Sequence, residues 1–141
     1  MPLSILPSSC DLRYKGQFLG NVTSGNLINL NVPSSAVPGD LMIATIAQAD
    51  NFIFMPPPGW TTLDDTGFTP GLGVFWRIVT GTEPSSYTFN IGGLSHLVGA
   101  MLIYEGVDIS SPVNAFGVLR SAGSTTITVS YTHLRAHETR I

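Results

Sequence analysis

The chain has 141 residues, of which only 11% are charged, and its formal net charge is −3 at pH 7. This length fits one domain with a sizeable hydrophobic core, so metal or disulfide cross-links are not required. The lack of a Lys/Arg cluster excludes the phosphate-neutralising surface of a nucleic-acid-binding protein, and the scarcity of charge argues against long solvent-exposed helices. The polar residues are largely Ser, Thr, Asn and Gly, as in secreted or virion-surface β domains.

Apolar and polar residues alternate between turn signals along the chain, which predicts β-strands. In residues 26–32, Ile28 and Leu30 share one face of the predicted strand. Residues 41–47 are continuously apolar, as expected of a central buried strand. The predicted strands comprise residues 11–19, 26–32, 41–47, 74–80, 87–91 and 97–105, with weaker candidates at 115–119 and 125–128.

One long predicted loop, residues 49–73, contains a Pro-Pro-Pro-Gly run at 56–59 and a short TTLDD stretch at 61–65. The prolines impose an extended conformation and the glycine allows a turn. We therefore expect this run to deliver Trp60 to a defined place in the fold.

These elements predict an all-β fold, an antiparallel two-sheet sandwich of the immunoglobulin-like or jelly-roll type. The predicted domain comprises residues 1–128 and is truncated at its C-terminus. The strand at 97–105 is apolar on both faces. We therefore expect it to be covered on both sides, by the second sheet and by a loop or a neighbouring subunit.

The last residues, 129–141, differ in composition from the rest of the chain. They contain His133 and His137, whose spacing on a helix would suit a zinc site. However, residues 129–139, VSYTHLRAHET, resemble the translation of a transposase-type sequencing-library adapter. We therefore expect a non-native tail and no zinc site, with the natural protein continuing past Thr128.

Four motifs in the remaining chain carry a resemblance to a known family. They read VPSSAVPGDLMIATIA, PPPGWTTL, FWRIVTGTEPSSYTF and YEGVDISSPVNA. In this order, over residues 11–115, they resemble an uncharacterised β-sandwich module of bacteriophage tail and tail-fibre proteins and of some bacterial surface proteins. The resemblance implies no catalytic residue.

The expected function is that of a non-enzymatic structural or host-recognition module in a phage tail or tail fibre, located in the virion. Its partners would be other virion proteins or a host surface glycan, and the low charge fits assembly into a homo-oligomer. We expect no cofactor, no metal, no nucleic-acid partner and no membrane insertion. The alternative is a carbohydrate-binding or adhesive β-sandwich domain of a bacterial surface protein, located at the cell surface.

Aromatic residues distinguish these two hypotheses. Sugar binding would need exposed rings for stacking, and the candidates in the long loop are Trp60, Phe52, Phe54 and Phe68. A structural module would instead bury Trp60 and also Trp76, since buried aromatic residues dominate the cores of sandwiches of this size. The burial of Trp60 is therefore the deciding observation.

Arg77 is the only charged residue inside its predicted strand, so it needs a partner. Glu83 and Glu105 are the candidates for a charge-assisted pair with it. Because Glu83 precedes a proline, its backbone is expected to be extended. We predict that this pair is a structural anchor.

Residues for catalysis are scarce once the tail is set aside. His96 is then the sole histidine, no serine lies in a G-x-S-x-G motif, and we expect a structural or exposed histidine. Asp64 and Asp65 could serve as paired carboxylates, or could bind Ca²⁺ with Asp50 or Asp108, but turn and capping roles are more common for such residues. We predict that the protein is not an enzyme.

Overall fold

The computed structural model describes residues 12–65, 69–110 and 112–113, and the backbone of residues 117–121 and 124–128. Within these ranges every regular element is a strand, which confirms the predicted all-β class. The predicted tail at 129–141 lies outside the described residues. The strands are β1 (Arg13–Asn31), β2 (Leu41–Gln48), β3 (Phe54–Met55), β4 (Thr61–Asp65), β5 (Gly71–Ile78), β6 (Ser86–Glu105), β7 (Gly117–Ser121) and β8 (Ser124–Thr128).

Six of the strands form one antiparallel sheet in the order β1-β6-β2-β5-β4, with β3 also paired to β6. β7 and β8 form a separate antiparallel pair. The predicted antiparallel arrangement is therefore confirmed. The hydrogen bonds join the six strands into one continuous sheet, and a two-sheet sandwich stays a prediction.

Two strands are longer than the sequence predicts. β1 joins the predicted strands 11–19 and 26–32 into one strand from Arg13 to Asn31, and β6 contains both 87–91 and 97–105. The register between β1 and β6 shifts on each side of Gly25, and pairing resumes beyond it. Such irregularities bend a strand without ending it. The alternation of apolar and polar residues is therefore interrupted near Gly25, although the strand continues.

The predicted loop at 49–73 also contains regular structure. Its β3 segment pairs with β6 at Ile91 and Asn90, and its β4 segment pairs with β5. The TTLDD stretch is thus an edge strand of the sheet.

The ribbon formed by β1 and β6 bends so that its two halves face each other. Ile28 and Leu30, in the second half of β1, pack over Gly20 in the first half and over Gly99 in β6. A Cβ atom added at Gly99 would lie 3.1 Å from Leu30 Cδ2 and 3.2 Å from Ile28 Cδ1. The missing side chain therefore permits the close approach of the two halves.

The space between the halves is filled by apolar side chains that form an inner core. Full burial of one of the larger aliphatic or aromatic side chains stabilises the folded state by roughly 1.5–3 kcal/mol. The inner core comprises Ile28, Leu30, Met42, Ala44, Ile46, Phe54, Trp60, Phe75, Val79, Tyr87, Phe89, Ile91, Leu97, Met101 and Ile103.

The opposite face of the sheet carries a smaller outer cluster, built on the buried residues Leu41, Ile43 and Val74. Val107 and Val113, which follow β6, pack against this cluster. The chain after β6 thus covers part of the outer face, as the apolar character of that face predicts. Cover is incomplete along β6, because Val98 on the same face remains 52% exposed.

We predict that Gly99→Val destabilises the protein by about 1–3 kcal/mol, because the added side chain overpacks the contact with Ile28 and Leu30. Gly81→Val is the matched control, since a Cβ atom at Gly81 meets nothing within 4 Å. Urea denaturation of the two variants measures the difference. Equal stability of Gly99→Val and the control would contradict the close contact.

Candidate functional site

Trp60 lies in the inner core and is only 8% exposed. Gly59, with φ of 91°, makes the turn that directs the indole inward. The indole packs edge-to-face on Tyr87 and Phe89, with ring centroids 5.1 and 5.2 Å apart. Its buried Nε1 has no hydrogen-bond acceptor among the described residues, a cost that the ring packing must offset.

The other predicted sugar-stacking residues are placed differently from one another. Phe54 is buried and packs edge-to-face on Phe75, with centroids 5.9 Å apart. Phe52 is partly buried against the inner core. Phe68 lies outside the described residues. Trp60, Phe52 and Phe54 therefore form no exposed row of aromatic side chains, and the burial of Trp60 is the arrangement that we expect of a structural module.

Of the two predicted partners for Arg77, the structure selects Glu83. The Arg77 Nε atom donates to both carboxylate oxygens of Glu83, at 3.1 and 3.2 Å. Arg77 Nη1 also donates to the carbonyl of Gly59 at 3.3 Å, and its guanidinium lies 5.7 Å from the ring centre of Tyr87. Arg77 thereby connects β5 to the turn that carries Trp60.

Glu83 is the centre of a hydrogen-bond network, here called the Glu83 network, that also comprises Arg77, Thr80 and Tyr87. Its carboxylate accepts the Thr80 backbone N–H at 2.7 Å and the Thr80 hydroxyl at 2.9 Å. It also accepts the hydroxyl of Tyr87. The Glu83 side chain is only 8% exposed, and its hydrogen bonds hold the turn between β5 and β6 together.

The same network shifts two pKa values in opposite directions. Burial alone would raise the pKa of Glu83, but the hydrogen bonds from Tyr87, Arg77 and Thr80 outweigh it and lower the pKa from 4.5 to about 2. Burial and the hydrogen bond to Glu83 together raise the pKa of Tyr87 to about 12. Glu83 is therefore ionised and Tyr87 is protonated at any ordinary pH.

Trp76 and Glu105 occupy the outer side and the end of the sheet. Trp76 is partly buried against the outer cluster. Glu105 pairs with Arg13, and one of its oxygens lies 3.7 Å from Lys15 Nζ. Glu105 therefore belongs to a second group of charges, separated from Arg77 by strand β2.

That second group contains a buried ion pair that the sequence analysis missed. Lys15 Nζ lies 2.6 Å from Asp40, whose side chain is 6% exposed. Asp40 also accepts the backbone N–H of Val37 at 3.0 Å. Proline and glycine at 38–39 favour a turn here, but the partner of Asp40, Lys15 on β1, is set by the tertiary fold.

Two buried polar residues that the sequence analysis also missed form hydrogen bonds with the backbone at the start of the long loop. Gln48 donates to the carbonyl of Phe52 at 2.7 Å and accepts its N–H at 2.8 Å. The Ser95 hydroxyl accepts the N–H of Asp50 at 3.2 Å. Both residues satisfy loop backbone groups, which is the usual reason for burying a polar side chain.

His96 and the Asp64–Asp65 pair lie on different strands. His96 is exposed on β6 while its neighbour Ser95 is buried, as expected for successive residues of a strand. Asp64 and Asp65 lie on the edge strand β4, where burial and then the charge of Asp64 raise the pKa of Asp65. In the described part of the chain, no group of three or more His, Cys, Asp or Glu residues could hold a metal ion.

An open pocket of about 320 Å³ lies between the turn after β1 and the turn after β5. Glu83 lies on its wall, but its oxygens are already bonded within the Glu83 network. The remaining wall consists of small and proline residues, namely Val32, Pro33, Ser34, Ala36, Pro38, Val79, Thr80, Gly81, Pro84 and Ser85.

Comparisons with known proteins identify no relative of this chain. No protein-family model, no curated protein and no solved structure matches the chain. The resemblance to the phage module therefore rests on the four sequence motifs alone. A search of the described residues for a helix long and apolar enough to cross a membrane finds none.

We predict that Arg77 and Glu83 are coupled in stability by about 0.5–3 kcal/mol, because each loses its partner when the other is replaced. A double-mutant cycle of Arg77→Met with Glu83→Gln, followed by urea denaturation, measures the coupling. The matched cycle of Arg77→Met with Glu105→Gln should give a coupling near zero. No coupling in the first cycle would contradict the anchoring role.

The lowered pKa of Glu83 also predicts an acid dependence of stability. The folded-state value lies below the unfolded value of 4.5, so this stabilisation is complete above that pH and is lost as the pH falls toward about 2. The difference in unfolding free energy between the wild type and Glu83→Gln should shrink over this range. Thermal unfolding at a series of pH values tests it, with Glu105→Gln as control. A difference independent of pH would contradict the network.

Proposed function

We propose that this chain is a non-enzymatic structural or host-recognition module of a bacteriophage tail or tail fibre. The observation that carries the proposal is the burial of Trp60 on Tyr87 and Phe89. Trp60 belongs to the PPPGWTTL motif and the other two rings belong to FWRIVTGTEPSSYTF. Two of the four motifs that carry the resemblance therefore meet in the inner core.

The Glu83 network supports the same conclusion. Arg77 and Glu83 lie in one motif, and Gly59, which accepts from Arg77, lies in the other. These polar residues satisfy one another, so they are committed to folding instead of being presented to a substrate. The motif residues Arg77, Glu83 and Gly59 therefore stabilise the fold, as we expect of a structural module.

The proposed architecture is a β-sandwich in which the bent six-stranded sheet contributes both layers of the inner core. The contacts of Gly20 and Gly99 with Ile28 and Leu30 support it, because they join the two halves of the β1–β6 ribbon across that core. The immunoglobulin-like or jelly-roll assignment belongs to the same proposal.

The proposed location in the virion predicts that peptides of this chain are found in purified phage particles. The measurement is peptide mass spectrometry of density-purified particles from a host culture that carries the gene. The cell-envelope fraction of the same lysate is the control. Peptides that are enriched in the envelope and missing from particles would contradict the proposal and favour the bacterial surface protein.

The carbohydrate-binding alternative gives a different result in a glycan microarray. Binding that is lost in Phe52→Ala would establish a sugar-stacking site, in host recognition or in adhesion, and would exclude a purely structural module, because Phe52 is the candidate ring that is described and not fully buried. A chain that binds no glycan, or binds equally well in both forms, fits the structural module.

A further inference from the structure

The first strand of the sheet has a free edge with unusual composition. Within the described residues β1 pairs with β6 alone and forms one border of the sheet. Residues 16–31 of β1 contain no charged residue and no proline. Exposed edges of natural sheets are usually protected by charge, proline or short length, because their unpaired backbone groups can bind another strand.

The opposite border of the same sheet has the usual protection. It is formed by β4, which has five residues and carries both Asp64 and Asp65. The contrast between the two borders indicates that the edge of β1 can pair with a strand of another molecule. The most regular part of that edge is Gly16–Val22, where the register to β6 is continuous.

Exposed apolar side chains border this edge on the outer face of the sheet. Leu19 is 64% exposed, and Val98 on β6 is 52% exposed. A strand added beside β1 would place its own outward residues against Leu19 and would extend the outer face. The free edge and the exposed apolar residues are separate observations that locate the same surface.

The segment is also complementary to itself. In an antiparallel pair of two copies related by a two-fold axis at Leu19, the two Leu19 side chains are opposite each other on the outer face. Gln17 is opposite Asn21 of the second copy, which allows amide hydrogen bonds. On the inner face, Phe18 is opposite Gly20, and the inner side of Gly20 is already filled by Ile28 and Leu30 of the same copy. Lys15 is opposite Thr23, and no like charges meet.

We propose that Gly16–Val22 is a homodimer interface, in which the edges of β1 in two copies pair in antiparallel fashion about Leu19. The inference does not depend on the proposed function, since it uses only the edge, its composition and its exposure.

The first test is the mass of the full chain in solution by sedimentation equilibrium, from micromolar to millimolar concentration. The wild type should rise from the chain mass of 15.0 kDa toward twice that value. Leu19→Lys should remain monomeric, because it places two ammonium groups opposite each other. Ile109→Lys, an equally exposed change outside β1, should dimerise like the wild type.

The second test uses the two-fold axis itself. Leu19→Glu alone should also remain monomeric, whereas an equimolar mixture of Leu19→Lys and Leu19→Glu should form a heterodimer, because opposite charges then face each other. A wild type that is monomeric at every concentration, a dimerising Leu19→Lys variant or a mixture that stays monomeric would overturn the proposal.

Hydrogen exchange separates strand pairing from a contact between faces. Amides of residues 16–22 should exchange more slowly at concentrations where the dimer forms than in dilute protein, while β4 is unchanged. A dimer that leaves these amides unprotected would overturn the pairing.

Discussion

The fold depends on the close contact between the two halves of the β1–β6 ribbon. Ile28 and Leu30 reach Gly20 and Gly99 because neither glycine has a side chain to hold the layers apart. This contact encloses the inner core, and the bend at Gly25 that precedes it is possible because the bulged strand keeps pairing with β6 on both sides. The other strands pack their apolar faces into a space that this ribbon defines.

The Glu83 network stabilises the turn between β5 and β6, although this requires a carboxylate to be buried beside the apolar core. A buried carboxylate is costly unless its lone pairs are satisfied, and here Arg77, Thr80 and Tyr87 satisfy them. The network also connects the turn to Gly59 and hence to Trp60. Polar and aromatic residues that are distant in sequence thus stabilise one end of the domain together.

Much of the local structure could be predicted because strand alternation is a local property. Ile28 and Leu30 share a buried face as expected, and 97–105 has apolar residues on both faces. The continuity of β1 through Gly25 could not be predicted, since glycine in a polar stretch has the same pattern as a turn. Lys15 with Asp40, and Gln48 with the loop at Phe52, were also missed, because the partner of a polar side chain depends on distances that alternation does not encode.

The amino-acid sequence alone determined the all-β class, the antiparallel strands, the turn at Pro-Pro-Pro-Gly and two possible partners for Arg77. These follow from the two-residue repeat of a strand and from the backbone limits of proline and glycine. Only the tertiary structure decided that Glu83 is the partner, that Trp60 is enclosed and that β1 borders the sheet. These facts depend on which strands become neighbours, and that is set by the packing of the whole core and not by any single segment.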